Sequence, residues 1–333
     1  MTLPFALLPY FWGLAAWFVG GLWVFAATVR ATWPRGMRRR GDIALYALAV
    51  PAVYANAVTG QTGTWMAAIF GGGLMAIERR PMLAGALLGL LSAKPQMALL
   101  VPVALLSARR WTALIAFSAV CAVLTAATAW LFGIDVWGDF AGRVSLVRRS
   151  VLEAGIGLDT DVTTWNIFIS VFVMIRALPA SVAVAYAVQG AAGLIAVSLV
   201  IAAWRSAGPQ NAKNAVLVMA AFFATPYVQL YDLVVATLVP LWLVLSVPAD
   251  DARQTAAWLA AIPLLLAPLA APALYRLTGY ATGCLWLVPA FAVAVRSCLR
   301  CARPGRYSSA ACPDGISASS IRLRIWRKPR PVP

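Results

Sequence analysis

Two short stretches place a full charge in otherwise apolar surroundings. In residues 89–100, GLLSAKPQMALL, Lys94 stands beside Pro95 and Gln96; in residues 225–233, TPYVQLYDL, Asp232 follows Tyr231 shortly after Pro226. An ammonium left in lipid costs roughly 2.5–3.5 kcal/mol even on lenient insertion scales, so such a group faces a cavity or a partner. At the floor of a wet cavity Lys94 is suited to meet an anion; the alternative is a kinked helix whose lysine snorkels or pairs with a carboxylate. The chain has no histidine, so any acid–base step falls to carboxylates, tyrosine, lysine or the substrate itself. Asp159 and Asp161, in LDTDV, have the spacing used to bind metal-bound nucleotide sugars. Those donors are cytosolic and this loop is expected outside, so the pair reads as a solvated turn or an acceptor contact. Cys298 and Cys301 form a CxxC with no second pair, so no metal site is expected. Cys121, Cys284 and Cys312 are scattered and imply no disulfide framework.

The elements that hold these residues are membrane helices. Of 333 residues, 62% are hydrophobic and 11% charged, which excludes an ordinary soluble domain. Runs long enough to cross a bilayer core of roughly 30 Å cover residues 5–29, 111–132, 182–203, 226–247, 255–271 and 281–299. The fold class is an all-α polytopic membrane protein with about 10 membrane-embedded helices, some of them short broken hairpins. Glycines at 71–73 and at 85 and 89 allow close helix packing. The net charge of +16 follows membrane topology, not nucleic-acid binding: nine of the 27 basic residues lie from Arg296 onward and most others occupy short loops.

Positive loops stay cytosolic, which orders the chain. Arg30, Arg35, Arg38, Arg39 and Arg40 make the first loop cytosolic, so the chain starts outside, and residues 42–58 run out to a turn at 56–61. Arg79 and Arg80 are then inside, and so are Arg109 and Arg110. A single crossing between those pairs would expose one of them, whereas two short arms meeting at Lys94 and Pro95 keep both in. Proline breaks the helix there and restricts the residue before it. Residues 133–164 form the longest outer loop, with five of the eleven acidic residues and an amphipathic stretch suited to the membrane surface. Residues 165–175 are too short to cross and dip in before the next span. A second broken hairpin turns at 225–233, and broken helices at membrane depth point to a site. The chain divides into a membrane domain, 1–302, and a basic cytosolic tail, 303–333, without periodicity.

Three segments in order, 60–111 with GQ, AGALLGLLSAKPQ and RRW, 166–178 (NIFISVFVMIRAL) and 224–241 (ATPYVQLYDLVVATLVPL), together resemble glycosyltransferase family 87. These are membrane enzymes of the GT-C architecture, related to polyprenyl-phosphate-mannose-dependent mannosyltransferases, and the resemblance covers roughly residues 3–245. It implies transfer of a sugar from a polyprenyl-phosphate donor to a hydroxyl of a glycolipid or glycan acceptor, outside the cytoplasmic (inner) membrane of a bacterial cell. The implied partners are membrane lipids and these substrates, with no nucleic acid, no cofactor and metal dependence open. Lys94 matches the family's KPQ lysine and is expected to pair with donor phosphate. Gln61, Gln96, Tyr231 and Asp232 match other polar family positions and are expected to line the donor or acceptor cleft.

One departure bears on catalysis. The architecture carries its catalytic aspartate in the first outer loop, yet no acidic residue precedes Asp42, which is expected to be cytosolic. Residues 2–17 resemble the family's second span, so an amino-terminal truncation with impaired catalysis is expected. Asp232 is then the candidate catalytic carboxylate, or the ion-pair partner of Lys94. A lipid-linked-sugar transporter or flippase, or a non-catalytic membrane protein, is the alternative function.

Overall fold

The computed structural model describes residues 5, 7–33, 40–155, 165–247 and 252–300. Arg35, Arg38, Arg39, Asp159, Asp161, Cys301 and the whole 303–333 tail lie outside the described residues. The regular elements among those described are helices, and one isolated antiparallel bridge joins Phe168 to Gln229. The fold is an all-α membrane protein.

Among the described residues, four helices are long and apolar enough to cross a bilayer: α1 (Tyr10–Thr32), α8 (Trp111–Phe132), α11 (Val182–Arg205) and α15 (Ala252–Thr278). α15 stays continuous although Pro263, Pro268 and Pro272 lie inside it. The run at 42–58 is bent by 54° between α2 (Arg40–Ala49) and α3 (Pro51–Val58). Val50 is extended and Pro51 donates no N–H, so the ladder breaks there. α4 (Gly63–Ala76) then descends to Glu78.

Two expected crossings are shorter than their hydropathy suggests. Residues 226–247 divide into an extended start, a 3₁₀ turn (Leu230–Asp232), α13 (Leu233–Ala236) and α14 (Leu238–Leu245). Residues 281–299 begin as a 3₁₀ turn (Gly283–Leu287) before α16 (Val288–Arg300). Hydropathy records composition, not whether the backbone stays α-helical, and both segments are packed against protein.

The KPQ stretch is a broken hairpin. α5 (Pro81–Leu90) runs through a 3₁₀ turn (Leu91–Ala93) to Lys94, and α6 (Pro95–Ala98) and α7 (Val101–Ser107) return. α5 and α8 pack in parallel: a Cβ on Gly85 would overlap the Ala113 carbonyl, and one on Gly89 would meet Phe117 O at 2.9 Å and Val120 at 2.8 Å. Two parallel neighbours need an intervening return. Consistent with it, Arg110 Nη2 lies 3.7 Å from Glu78 Oε1, and Lys213 is within electrostatic reach of both. These residues form one basic end of the molecule.

At the other end, α9 (Val136–Val147) is amphipathic in sequence but buries no side chain. A wider π-type turn (Arg148–Glu153) then anchors it by burying Leu152 against Phe168, Phe172 and Val173. The expected dip at 165–175 is a 3₁₀ turn (Trp165–Ile167), an extended piece and α10 (Val171–Arg176), which leads to α11 without crossing. α12 (Gln210–Ala224), buried along most of its length, rises between the others to the second broken turn.

Candidate functional site

Lys94 sits at the tip of the first hairpin with φ −135° and ψ 78°, an extended geometry that the following proline favours. Its carbonyl accepts the Met97 N–H at 2.8 Å, and Pro95 occupies the first helical position, where no N–H is needed. The backbone of the tip is thereby fixed.

The second hairpin supplies what the Lys94 side chain reaches. Gln229 caps the 3₁₀ turn, and its N–H donates to Asp232 Oδ2 at 3.0 Å. Asp232 Oδ1 accepts from Lys94 Nζ in an ion pair, with Asp232 1% exposed and Lys94 12%. The same ammonium lies 4.5 Å from the centre of the Tyr231 ring, a cation–π contact. Tyr231 OH donates to Gln229 Oε1. An ammonium carries three N–H donors. One is given to Asp232, so two remain for an incoming anion.

Neighbouring segments brace this pair. Ile169 N donates to Val228 O at 3.0 Å, which lays the NIFIS segment along the second tip. Gly63 packs on the Tyr231 carbonyl so closely that a Cβ would overlap it, and its N–H donates to Asn56 Oδ1 at 2.5 Å. Gln61 is half-buried in the turn leading to Gly63, and Gln96 is half-buried two residues beyond Lys94. The structure thus joins Lys94, Tyr231 and Asp232 directly and places Gln61 and Gln96 on flanking turns.

Three residues not singled out from the sequence hold the surroundings together. Asn56, 2% exposed, ties α3 to α4. Gln189, 5% exposed, accepts from Phe172 N (2.9 Å) and donates to Phe223 O (2.8 Å), joining α10, α11 and α12. A lone glutamine in the apolar run AYAVQGAAG was its signal. Glu153 accepts the Tyr186 hydroxyl at 2.8 Å and lies 3.4 Å from Arg148 Nε, while Arg176 donates to its carbonyl at 2.9 Å. Nothing local distinguished Glu153 from the other acidic residues of its loop.

A cavity of about 440 Å³ opens beside the tips, between α11 and the returning arm of the first hairpin. Leu99, Val103, Tyr186, Gly190, Gly193 and Pro226 help to line it. Among the described residues no three His, Cys, Asp or Glu side chains cluster to hold a metal.

A family model described as Glycosyltransferase family 87 matches residues 1–226, which takes in Gln61, Lys94 and Gln96 and ends before Tyr231 and Asp232. No curated protein and no solved structure matches the chain. The matched region spans more than half of the 333 residues and contains the hairpin that presents Lys94, and the chain belongs to glycosyltransferase family 87, a family of membrane glycosyltransferases.

Proposed function

We propose that the protein moves a sugar, mannose in the first instance, from a polyprenyl-phosphate donor to a hydroxyl of a glycolipid or glycan at the outer face of the cytoplasmic membrane. The observation that carries this reading is the Lys94 ammonium, held between the Asp232 carboxylate and the Tyr231 ring with two donors unused. In the reaction the acceptor oxygen bonds to the anomeric carbon as the bond from that carbon to the phosphate oxygen breaks, and the acceptor's hydroxyl proton passes to the departing phosphate or to Asp232. The polyprenyl phosphate leaves with added negative charge, which a fixed ammonium stabilises more than it stabilises the intact donor. The adjoining apolar cavity supports the reading because it can receive the first isoprene units of such a donor.

Both Asp232 oxygens are engaged, Oδ1 by Lys94 and Oδ2 by Gln229 N–H. We therefore assign Asp232 the positioning of Lys94, with proton acceptance as its alternative role. The basic end, with Arg79, Arg80, Arg109 and Arg110, supports an orientation in which the Lys94 end faces outward. A transporter of lipid-linked sugar is the second reading, favoured by a buried Lys–Asp pair between two broken hairpins.

The test is transfer from radiolabelled polyprenyl-phosphate-mannose into an inner-membrane lipid extract by the purified chain, beside Lys94→Ala. Transfer that falls at least about 100-fold in the variant supports the assignment. Equal transfer by both removes Lys94 from the site. Donor-dependent flux across proteoliposomes without transfer selects the transporter.

A further inference from the structure

A second cavity, polar where the first is apolar and of about 360 Å³, lies at the basic end, on the opposite side of the molecule from Lys94. It is framed by the last turn of α1, the end of α4, the first turn of α12 and α14; Thr32, Glu78, Arg79, Gln210, Asn214 and Trp242 are among its walls. The donor and acceptor residues assigned above take no part in it.

Its walls carry hydrogen-bond donors, one of them buried and unused. Trp242 is 0% exposed, and its Nε1–H is the one buried side-chain polar atom without a partner among the described residues. An indole N–H can only donate, and a buried donor without an acceptor is rare in a folded protein. Asn214, 1% exposed, stands on the same wall, its Oδ1 accepting from Gln210 Nε2 at 2.8 Å and its carboxamide N–H₂ being a further donor. Pro209 caps α12 with no side-chain acceptor, so the first N–H groups of this 15-residue helix are open at the same wall. Arg79 stands exposed at the rim. Glu78 is also there, but its carboxylate is drawn toward Arg110, 3.7 Å away.

Indole N–H, carboxamide N–H₂, helix-terminal N–H and guanidinium, contributed by different elements to the walls of one cavity, match an anion with several oxygens. We propose that this cavity binds a phosphate group, brought by the headgroup of an inner-leaflet phospholipid or as free phosphate. The cavity is larger than phosphate alone needs and opens at the level where positive loops meet lipid headgroups, so the headgroup is the source the geometry favours.

The full chain, purified in detergent, is titrated with dioleoylphosphatidylglycerol, with dioleoylglycerol as the phosphate-free control and with inorganic phosphate. Binding is read by native mass spectrometry and thermal melting. Wild type is expected to retain one phosphatidylglycerol that dioleoylglycerol does not replace. Trp242→Phe and Arg79→Ala are each expected to weaken it about tenfold. In lipid-free detergent Trp242→Phe is expected to melt no lower than wild type, because it removes a donor that has no partner there. Saturation by inorganic phosphate that displaces the lipid keeps the phosphate site and names the free ion as its source. Equal binding of dioleoylglycerol, or unchanged binding by both variants, overturns the proposal. If Trp242→Phe does not fold, Arg79→Ala decides alone, since Arg79 is exposed.

Discussion

Lys94 and Asp232 show how little of a site a single residue determines. The lysine is recognisable as a charge placed against a proline, but its environment comes from a carboxylate 138 residues away and from an aromatic face beside it. Removing either partner strands a buried charge, whereas removing both leaves only a polar gap. Lys94→Ala and Asp232→Ala are each expected to cost about 3–5 kcal/mol in stability, and the double variant distinctly less than their sum. Additive losses in chemical unfolding would refute the coupling. Asp232→Asn separates its two roles. As a positioning residue it should weaken donor binding together with turnover; as a base it should leave donor binding intact and abolish turnover. Asn56 and Gln189 act at the same scale, each satisfying backbone groups that the broken turns expose.

At the scale of elements, the broken hairpin depends on close helix contact and on one strained turn. Gly85 permits α5 to lie parallel to α8, and because the collision would be with the Ala113 backbone, Gly85→Ala is expected to destabilise by about 1–3 kcal/mol. The return arm ends with Arg109 at φ 55°. Arg110 N bonds Leu105 O at 2.9 Å and Arg109 N bonds Leu106 O at 3.0 Å, the Schellman pattern that normally selects glycine. Arg109→Gly is therefore expected to stabilise by about 1 kcal/mol, measured as a raised melting temperature. Loss of stability would show that the Arg109 side chain contributes more than its backbone costs. The hairpin itself was legible from the basic pairs on either side of Lys94 and Pro95. The shortness of residues 226–247 was not, because an apolar run reads alike whether its backbone is α-helical or interrupted by extended and 3₁₀ geometry.

For the whole molecule, a broken hairpin and a single kinked crossing make opposite predictions about sidedness. Thr59→Cys, in an otherwise cysteine-free chain, is expected to react with a membrane-impermeant maleimide in intact cells. Arg80→Cys and Arg109→Cys should both react only after permeabilisation; labelling of one but not the other before it would restore the single crossing. The amino-acid sequence by itself determined the membrane class, the centres of the long helices, the basic end and the two charged turns. These are one-dimensional quantities: hydropathy over a bilayer's thickness, the placement of positive charge, and proline's local geometry. Tertiary structure alone decided that Lys94 meets Asp232 over Tyr231, that Glu153 is anchored through Tyr186, and that Trp242 and Asn214 share a polar cavity with the start of α12. Each joins helices distant in the chain, and which of them become neighbours depends on the parallel packing of α5 on α8 and the insertion of α12 among the other helices, neither of which any local pattern encodes.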